Sequence, residues 1–426
     1  MKPLILEKEF QDIFNSRGKA FSLEKIILLI VFSDVLTGLM ALIFDMYSGY
    51  NLIQKLITLL PGILMRALLF LYVVYYLSSR YSMLSIVIFV MTIPILTEVF
   101  SFLLNDTDVS YLVLGFVYSY KMIAIFSFYI FAFCFYSEID SKRIVRLFSI
   151  CFFIYTLAIL IGKITGLEFT TYGGKGSSGL LIKGSANSLS IVFVLMFSML
   201  LTTIYNKAVG VVVFLYTLLC ALILMTKVAV FGSCIVFLFW LYHRMKNKLI
   251  FLSIIAVVIF SSGGFVTSLI INNNLYDRII YVYENYSLVG VILSGRDVFL
   301  STGWNIYKDG GFFDILFGFG YENFRQKMGV ILGEPIGVEI DFFDLMFKNG
   351  ILYTIIYLLP VIYVIFYSYS SADVSGNYKL IRSSYLLIFL ISFLSGHVLM
   401  SGLNGYVLPA VAIILLRRKY ETITYI

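Results

Sequence analysis

The chain has 426 residues, of which 61% are hydrophobic and only 13% are charged, and its formal net charge is +7. Soluble domains carry about 25% charged residues, so this composition excludes an ordinary soluble enzyme or nucleic-acid-binding module and indicates an integral membrane protein. The first 25 residues mix acidic and basic side chains and lead into an apolar run long enough to span a bilayer, so we expect no cleavable signal.

Apolar runs of about 20 residues predict membrane-spanning helices. Twelve such segments follow one another along the chain, at 26–44, 56–77, 83–104, 111–136, 144–162, 186–205, 208–226, 228–242, 249–271, 343–367, 381–402 and 405–416. The predicted fold class is therefore an all-α integral membrane protein, with about 12 transmembrane helices in a single polytopic domain.

Basic residues concentrate in alternate short loops, which predicts the orientation because short loops rich in Lys and Arg stay in the cytoplasm. If the N-terminus is cytoplasmic, 18 of the 31 Lys and Arg residues lie in short inner segments. They are Lys2, Lys8, Arg17, Lys19, Lys25, Arg80, Lys142, Arg143, Arg146, Lys207, Arg244, Lys246, Lys248, Lys379, Arg382, Arg417, Arg418 and Lys419. Both termini are then expected on the cytoplasmic side.

Two long segments, 163–185 and 272–342, are predicted on the opposite side, the second as a large loop between helices 9 and 10. A 70-residue connection is too long to be passive, and we expect function in both loops. They contain basic residues that outer segments usually lack. Long loops cross a membrane whatever their charge, but Lys183 and Lys227 lie close to the lipid boundary, which favours a site for an anion such as phosphate.

Two basic residues interrupt apolar runs, Arg66 in "PGILMRALLF" and Lys121 in "YSYKMIAIF". A charge at membrane depth costs about 3 kcal/mol on insertion scales, so it normally faces a cavity or a partner. Glu98 is a possible partner for either residue. A buried ion pair without ligand contact and a substrate contact by Arg66 both remain open.

Cysteine and histidine are too sparse to predict a metal centre. The four cysteines all lie inside apolar runs without paired spacing, and the two histidines are far apart in the chain. We expect the cysteines to be small buried side chains. No metal or cofactor is predicted.

Five short motifs appear in order along the back half of the chain: "GSANSLS" (184–190), "TKVAVFGS" (226–233), "SGRDVFLSTGW" (294–304), "DILFGFGYENF" (314–324) and "VEIDFFDLMFKNGIL" (338–352). This order resembles the superfamily of O-antigen polymerases (Wzy-type) and O-antigen ligases, which are polytopic membrane glycosyltransferases. The resemblance covers roughly residues 160–405.

The resemblance implies a bacterial inner-membrane enzyme whose donor and acceptor are polyprenyl-diphosphate-linked glycans. On the periplasmic face the glycan would pass to a sugar hydroxyl and the lipid diphosphate would leave, without a metal or a nucleotide sugar. Membrane lipid, a chain-length regulator and a flippase are the implied partners, and nucleic acid is not.

Ligases of this superfamily resemble a pattern with a histidine eleven residues before a glycine, and that histidine is thought to act on the acceptor hydroxyl. Here Glu339 stands eleven residues before Gly350. A carboxylate can also accept a proton from a hydroxyl within reach. The resemblance therefore suggests Glu339 and Asp341 as catalytic residues and favours a polymerase. Alternatively these acids, and mainly Asp344, cap the N-terminus of the tenth helix.

The other site residues are expected to meet the diphosphate and the sugars. Arg296 is the best candidate to stabilise the leaving diphosphate, and further basic residues would bind it: Lys183, Lys227, Arg278 and Arg325. Asn187 could contact substrate or simply cap a helix. In "GFGYENF", Tyr321 and Phe324 are predicted to stack on sugar rings, while His397 is either a substrate-binding residue or a packing residue.

Two other functions remain open. An O-antigen ligase, which transfers glycan to a lipid A core, would have the same fold. A lipid-linked oligosaccharide flippase would also have twelve helices with both ends inside, and would use Arg66 and Lys121 near the midplane. The large outer loop, with its acids and arginines, favours the enzyme over the transporter.

Overall fold

The structure, a computed structural model, describes residues 22–47, 52–105, 108–171, 176–181, 186–245, 295–370 and 376–417, together with 248, 290 and 293. Its helices are α1 (Leu23–Tyr47), α2 (Leu52–Leu77), α3 (Tyr81–Asn105), α4 (Val109–Phe135), α5 (Ser141–Thr165), α6 (Ala186–Thr203), α7 (Lys207–Leu224), α8 (Lys227–Arg244), α9 (Arg296–Lys308), α10 (Phe312–Phe317), α11 (Tyr321–Leu332), α12 (Asp341–Ser370), α13 (Gly376–Ile391) and α14 (Asn404–Leu416). One antiparallel pair joins β1 (Thr170–Thr171) to β2 (Gly176–Ser177).

Long apolar helices dominate the described residues. Nine of the helices there, α1 to α8 and α12, are long and apolar enough to cross a membrane. Their outer faces carry apolar side chains such as Leu71, Phe89 and Val212, each at least 65% exposed, as expected for surfaces that face hydrocarbon. The chain is therefore an all-α polytopic membrane protein, which confirms the predicted fold class.

Eleven of the twelve predicted segments overlap a helix of the structure. The ninth, 249–271, lies outside the described residues. Two helices are shorter than a bilayer crossing requires, because α13 has 16 residues and α14 has 13. Both flank a segment that is not helical.

The predicted helix over 381–402 is wrong in its second half. Helix α13 ends at Ile391, and residues 392–403, which we call the break, run as turns and bends. Their backbone groups bond to other elements instead. Asp341 accepts three of the N–H groups, and Tyr357 donates to the carbonyl of Leu399. Non-helical backbone buried within a membrane protein is stable only with such partners, and hydropathy along the chain cannot reveal them.

The tenth predicted helix is bent. Inside α12, Gly350 has φ 79° and ψ 166°, so two helical segments meet there at a kink. The end of α10 and the loop that follows it pack directly against this kink. A Cβ on Gly350 would lie 2.1 Å from the carbonyl oxygen of Leu316, and one on Gly318 would lie 2.4 Å from that of Lys348. Both positions need glycine, because backbone meets backbone without room for a side chain.

Two apolar clusters organise the molecule. The larger cluster runs through the long helices and has α6 near its centre, where every residue from Ser188 to Thr202 is buried. The smaller cluster lies among α9, α11 and the start of α12, around Phe324, Met328 and Phe347. The described part of the predicted loop 272–342 is therefore a folded unit of three short helices seated on the end of α12.

Candidate active site

An arginine and a glutamate from distant parts of the sequence form an ion pair at the start of α9. The Nε and Nη2 atoms of Arg296 lie 3.2 and 3.1 Å from the same oxygen, Oε2, of Glu339. The Arg296 side chain is 14% exposed and that of Glu339 is 43% exposed. Glu339 adopts a left-handed backbone with φ 59°, a conformation that a non-glycine residue rarely takes without a structural reason. The pair combines a cation with an accessible carboxylate.

Asp344 holds the backbone of Glu339 in this conformation. Its carboxylate accepts the N–H groups of Val338 and Glu339 at 2.9 and 3.2 Å. It also lies 2.9 Å from the Nζ of Lys348, and both side chains of that pair are less than 10% exposed. The expectation that Asp344 is mainly a helix cap is therefore too simple, because the residue also neutralises a buried lysine.

Asp341 has a different task from the catalytic one predicted for it. Only 1% of the residue is exposed. Its two carboxylate oxygens accept the N–H groups of His397, Val398 and Leu399 at 2.6–2.7 Å. A carboxylate saturated by three backbone donors is enclosed and cannot reach a substrate hydroxyl, so we assign Asp341 a positioning role in which it anchors the break.

His397 lies beside Glu339 as a result of this anchoring. A Cβ on the preceding residue, Gly396, would lie 2.6 Å from the Glu339 carbonyl oxygen, so the two backbones touch. The carbonyl of His397 accepts hydrogen bonds from Ser188 and Asn404, each at 2.9 Å. The backbone of His397 is left-handed, with φ 67°, and its side chain is accessible.

Four charged groups surround the His397 imidazole. Partial desolvation by the neighbouring protein lowers the pKa of the His397 imidazole. The carboxylates of Asp344 and Glu339 oppose this effect, and the positive charges of Lys348 and Arg296 reinforce it. The ring is therefore neutral over a wider pH range than a free histidine, whose pKa is about 6.5. A neutral imidazole can accept or donate a proton in a hydrogen bond.

The Tyr321 ring lies next to Lys348, but one of its faces already packs against another aromatic side chain. It stacks on Tyr118 with ring centroids 4.3 Å apart, and the Lys348 ammonium lies 5.1 Å from its ring. Its backbone N–H donates to the Glu98 carboxylate at 2.8 Å. The predicted stacking role of Phe324 is wrong, since that side chain is fully buried in the smaller apolar cluster.

Glu98 is therefore not the partner of either intramembrane cation, which corrects the sequence analysis. Arg66 pairs instead with Asp34 at 2.6 Å. It also donates to the carbonyls of Gly62 and Gly402. Arg66 thus contacts the break at Gly402, and none of these contacts reaches Glu339. Its predicted role as a substrate-binding residue of this site is not supported by its position.

Arg325 is also engaged within the protein. Its guanidinium lies 2.7 Å from the Glu322 carboxylate and donates to the carbonyl of Pro335 at 2.6 Å. This arrangement joins α11 to the irregular segment that leads to Glu339. The residue predicted to bind diphosphate therefore has a structural task here.

The starts of α6 and α8 approach the same region. Ser190 and Thr226 are joined through their hydroxyl oxygens, 2.5 Å apart, and Ser188 bonds to His397. Asn187 lies in the first turn of α6, and Lys227 is the first residue of α8. The structure therefore places the first turns of α6 and α8 near the break. These turns carry two of the predicted substrate ligands, Asn187 and Lys227. Lys183 and Arg278, the other predicted diphosphate ligands, lie outside the described residues.

Sequence reasoning missed several members of this arrangement. Lys348 and Ser188 stand inside the motifs "VEIDFFDLMFKNGIL" and "GSANSLS" without a distinguishing pattern of their own, and Asn404 lies between two predicted helices. Each functions through a partner far away in the chain, so no local pattern singles it out. Among the described residues, no group of three His, Cys, Asp or Glu side chains could hold a metal ion.

A comparison with known protein families covers the part of the chain that carries most of these residues. Residues 283–418 match the family described as O-antigen ligase like membrane protein, and that range contains Arg296, Glu339, Asp344, Lys348 and His397. No curated protein sequence matches the chain. The family match supports a place for this multi-pass membrane protein in the O-antigen ligase and polymerase superfamily, whose members act in surface glycan biosynthesis.

Proposed function

We propose that the chain is a polymerase of polyprenyl-diphosphate-linked oligosaccharide repeat units, working on the periplasmic face of a bacterial inner membrane. The observation that carries the proposal is the Arg296–Glu339 pair, in which a guanidinium and an accessible carboxylate lie together. Such a pair has the two groups that glycosyl transfer from a diphosphate requires. Both termini would be cytoplasmic, with α9 to α11 on the outer side.

In the proposed reaction, Glu339 accepts the proton of a sugar hydroxyl on the acceptor glycan. The hydroxyl oxygen forms a new bond to the anomeric carbon of the donor, and the bond from that carbon to the diphosphate oxygen breaks. The lipid diphosphate leaves with the electron pair. Arg296 stabilises its growing negative charge, because a fork of N–H donors suits phosphate oxygens.

The pair also suggests how binding and chemistry are coupled. Both Arg296 nitrogens lie near the Glu339 carboxylate, so a donor diphosphate would compete with that carboxylate for the guanidinium. Withdrawal of Arg296 toward the diphosphate removes a positive charge from Glu339. The carboxylate is then free to accept a hydrogen bond from the acceptor hydroxyl.

A deletion strain complemented with variants tests this proposal through its glycan profile. Polymer should be lost in Glu339→Gln, which keeps the shape but not the basicity, and in Arg296→Ala. Arg296→Lys should restore little, because lysine lacks the fork. Glu334→Gln and Lys308→Ala are matched controls, since both residues are exposed neighbours on the same segments. Full-length polymer in Glu339→Gln would contradict the assignment.

A second candidate is an O-antigen ligase, favoured by the family description and by the position of His397 beside Glu339. The same profile separates the candidates. Single repeat units on the lipid A core indicate a missing polymerase, and loss of all attached glycan indicates a missing ligase. A backlog of lipid-linked units facing the cytoplasm would indicate a flippase.

A further inference from the structure

Helix α10 presents three exposed phenylalanines within six residues. Phe312 and Phe313 are 71% and 73% exposed, and Phe317 is 37% exposed. The rings of Phe313 and Phe317 lie one turn apart with their planes 20° from parallel, so they form one surface. Adjacent large aromatic side chains on a surface indicate a protein or membrane contact. The other side of α10 packs on the protein, where the Tyr307 hydroxyl donates to the carbonyl of Ile315 at 2.7 Å.

Two hydrogen bonds hold the end of α10 against the membrane-spanning helix α3. The Thr97 hydroxyl donates to the carbonyl of Phe317 at 2.9 Å. One turn further along α3, the Ser101 hydroxyl donates to the carbonyl of Phe319 at 2.7 Å. Phe100 lies one turn after Thr97, on the same side of α3, and is 57% exposed. The exposed face of α10 therefore borders the surface of α3 that faces hydrocarbon.

The contact with α3 also sets the depth of α10. Helix α3 has 25 residues and is about 37 Å long, so it exceeds a hydrocarbon layer of about 30 Å by a few ångström at each end. Thr97 lies two turns before the last residue of α3, Asn105, which is about 12 Å along the axis. The end of α10 is therefore about 8 Å inside the hydrocarbon boundary. Amphipathic helices that lie in a membrane surface are buried to about 5–10 Å.

The residues that precede α10 suit the boundary between acyl chains and headgroups. Trp304, near the end of α9, is 38% exposed, and the ammonium of Lys308 lies 5.7 Å from its ring. Lys308 is itself exposed. Tryptophan is typical of this level because its ring is amphipathic, and a lysine there can lay its stem on apolar surface while its ammonium stays in water. The chain thus runs from a polar and aromatic rim into the apolar α10.

We propose that α10 is inserted in the lipid leaflet at the end of the bundle that carries the candidate site. Phe312, Phe313 and Phe317 lie among the acyl chains, and Trp304 and Lys308 lie at the headgroup level. The partner of this surface is the lipid itself. A segment that hydropathy assigns to a large loop outside the membrane is therefore a membrane anchor. The proposal does not depend on the proposed function.

The anchor is joined to the candidate site through the kink in α12. The N–H group of Gly320, just after α10, donates to the carbonyl of Lys348 at 2.9 Å. Lys348 pairs with Asp344, whose carboxylate holds the backbone of Glu339. Insertion of α10 therefore fixes the level of the Arg296–Glu339 pair relative to the membrane surface.

Spin labelling of the full-length chain in phosphatidylcholine nanodiscs, with one chain in each disc, tests this placement. In a variant whose native cysteines are replaced, a nitroxide is attached at Phe313→Cys, and its collision rates with oxygen and with a water-soluble nickel chelate are measured. Oxygen concentrates in lipid and the chelate in water. The oxygen-to-nickel ratio should be severalfold higher than at Glu334→Cys, an exposed polar position. It should be lower than at Leu215→Cys, which is 57% exposed at the middle of α7.

A second measurement adds Phe312→Asp while the label stays at position 313. Because Phe312 is 71% exposed, the aspartate disturbs little protein packing, but its charge should draw α10 towards water and lower the ratio severalfold. Phe312→Leu is the matched control and should leave the ratio unchanged. Thermal unfolding in detergent shows that each variant is folded.

Three results would overturn the proposal. One is a ratio at position 313 equal to that at position 334, which would place α10 in water. Another is an unchanged ratio in Phe312→Asp. The third is a low collision rate of the label with both oxygen and nickel, which would show that protein and not lipid covers α10.

Discussion

Asp344 and Lys348 form an ion pair of 2.9 Å in which neither side chain is more than 9% exposed. The two residues lie one turn apart on α12, and the same carboxylate holds the backbone of Glu339. Removal of one partner leaves the other as an uncompensated buried charge, which typically costs about 3 kcal/mol or more. The ion pair therefore affects both the stability of the helix bundle and the geometry of the candidate site.

Asp344→Asn should therefore destabilise the protein by about 3 kcal/mol and abolish polymer. The reactivity of Cys151 and Cys220, which are buried, with a thiol-reactive dye during heating measures the unfolding. The double variant Asp344→Asn/Lys348→Met removes both charges and should recover stability but not activity. A single variant as stable as wild type would contradict the role of this pair.

Asp341→Asn should loosen the break. An amide has one acceptor oxygen where the carboxylate has two, so it cannot bond all three N–H groups of residues 397–399. Hydrogen exchange at these amides should accelerate, and polymer should decrease. Glu339→Gln is the control, since it removes a carboxylate two residues away and should leave the exchange unchanged. Unchanged exchange in Asp341→Asn would remove its anchoring role.

His397 should make stability depend on pH. Its folded-state pKa is lowered by partial desolvation, so between that value and about 6.5 the unfolded chain binds more protons than the folded one. The stabilising contribution is complete above pH 6.5 and is lost as the pH falls below it. His397→Gln should show a smaller decrease in thermal stability between pH 7.5 and pH 5.5 than wild type. Identical decreases would show that folding does not lower the pKa of the His397 imidazole.

Gly350 should tolerate no side chain. Both Gly350 and Gly333 have positive φ, of 79° and 84°, but a Cβ on Gly333 meets nothing within 4 Å. Gly333→Ala should thus cost only backbone strain of about 1 kcal/mol. Gly350→Ala adds a collision with the Leu316 carbonyl and should prevent stable folding, as judged by detergent-extracted yield. Similar yields for the two variants would mean that the kink can relax.

The orientation can be checked on a variant whose native cysteines are replaced. A cysteine at Val330, which is 88% exposed, should react with a membrane-impermeant reagent in intact spheroplasts. A cysteine at Arg143, in the first turn of α5 at the other end of the helices, should react only after lysis. The reverse pattern would place α9 to α11 in the cytoplasm.

Local sequence determined the membrane-spanning character of this chain and most of its helices, because hydropathy over about 20 consecutive residues decides whether a segment enters a bilayer. It also drew attention to Arg296 and Glu339, which the fold brings together. Their contact, however, joins residues 43 positions apart.

Tertiary structure decided where helices stop and which charges pair. Most of residues 392–403 lie in an apolar run that predicts a helix, yet they form turns and bends. Their backbone groups are hydrogen-bonded by the side chains of Asp341, Ser188, Tyr357 and Arg66. Arg66 pairs with Asp34 and not with Glu98, because Glu98 is engaged by the backbone of Tyr321. Such choices depend on hydrogen-bond partners that are distant in the chain, and in a medium without water each buried polar group must find one.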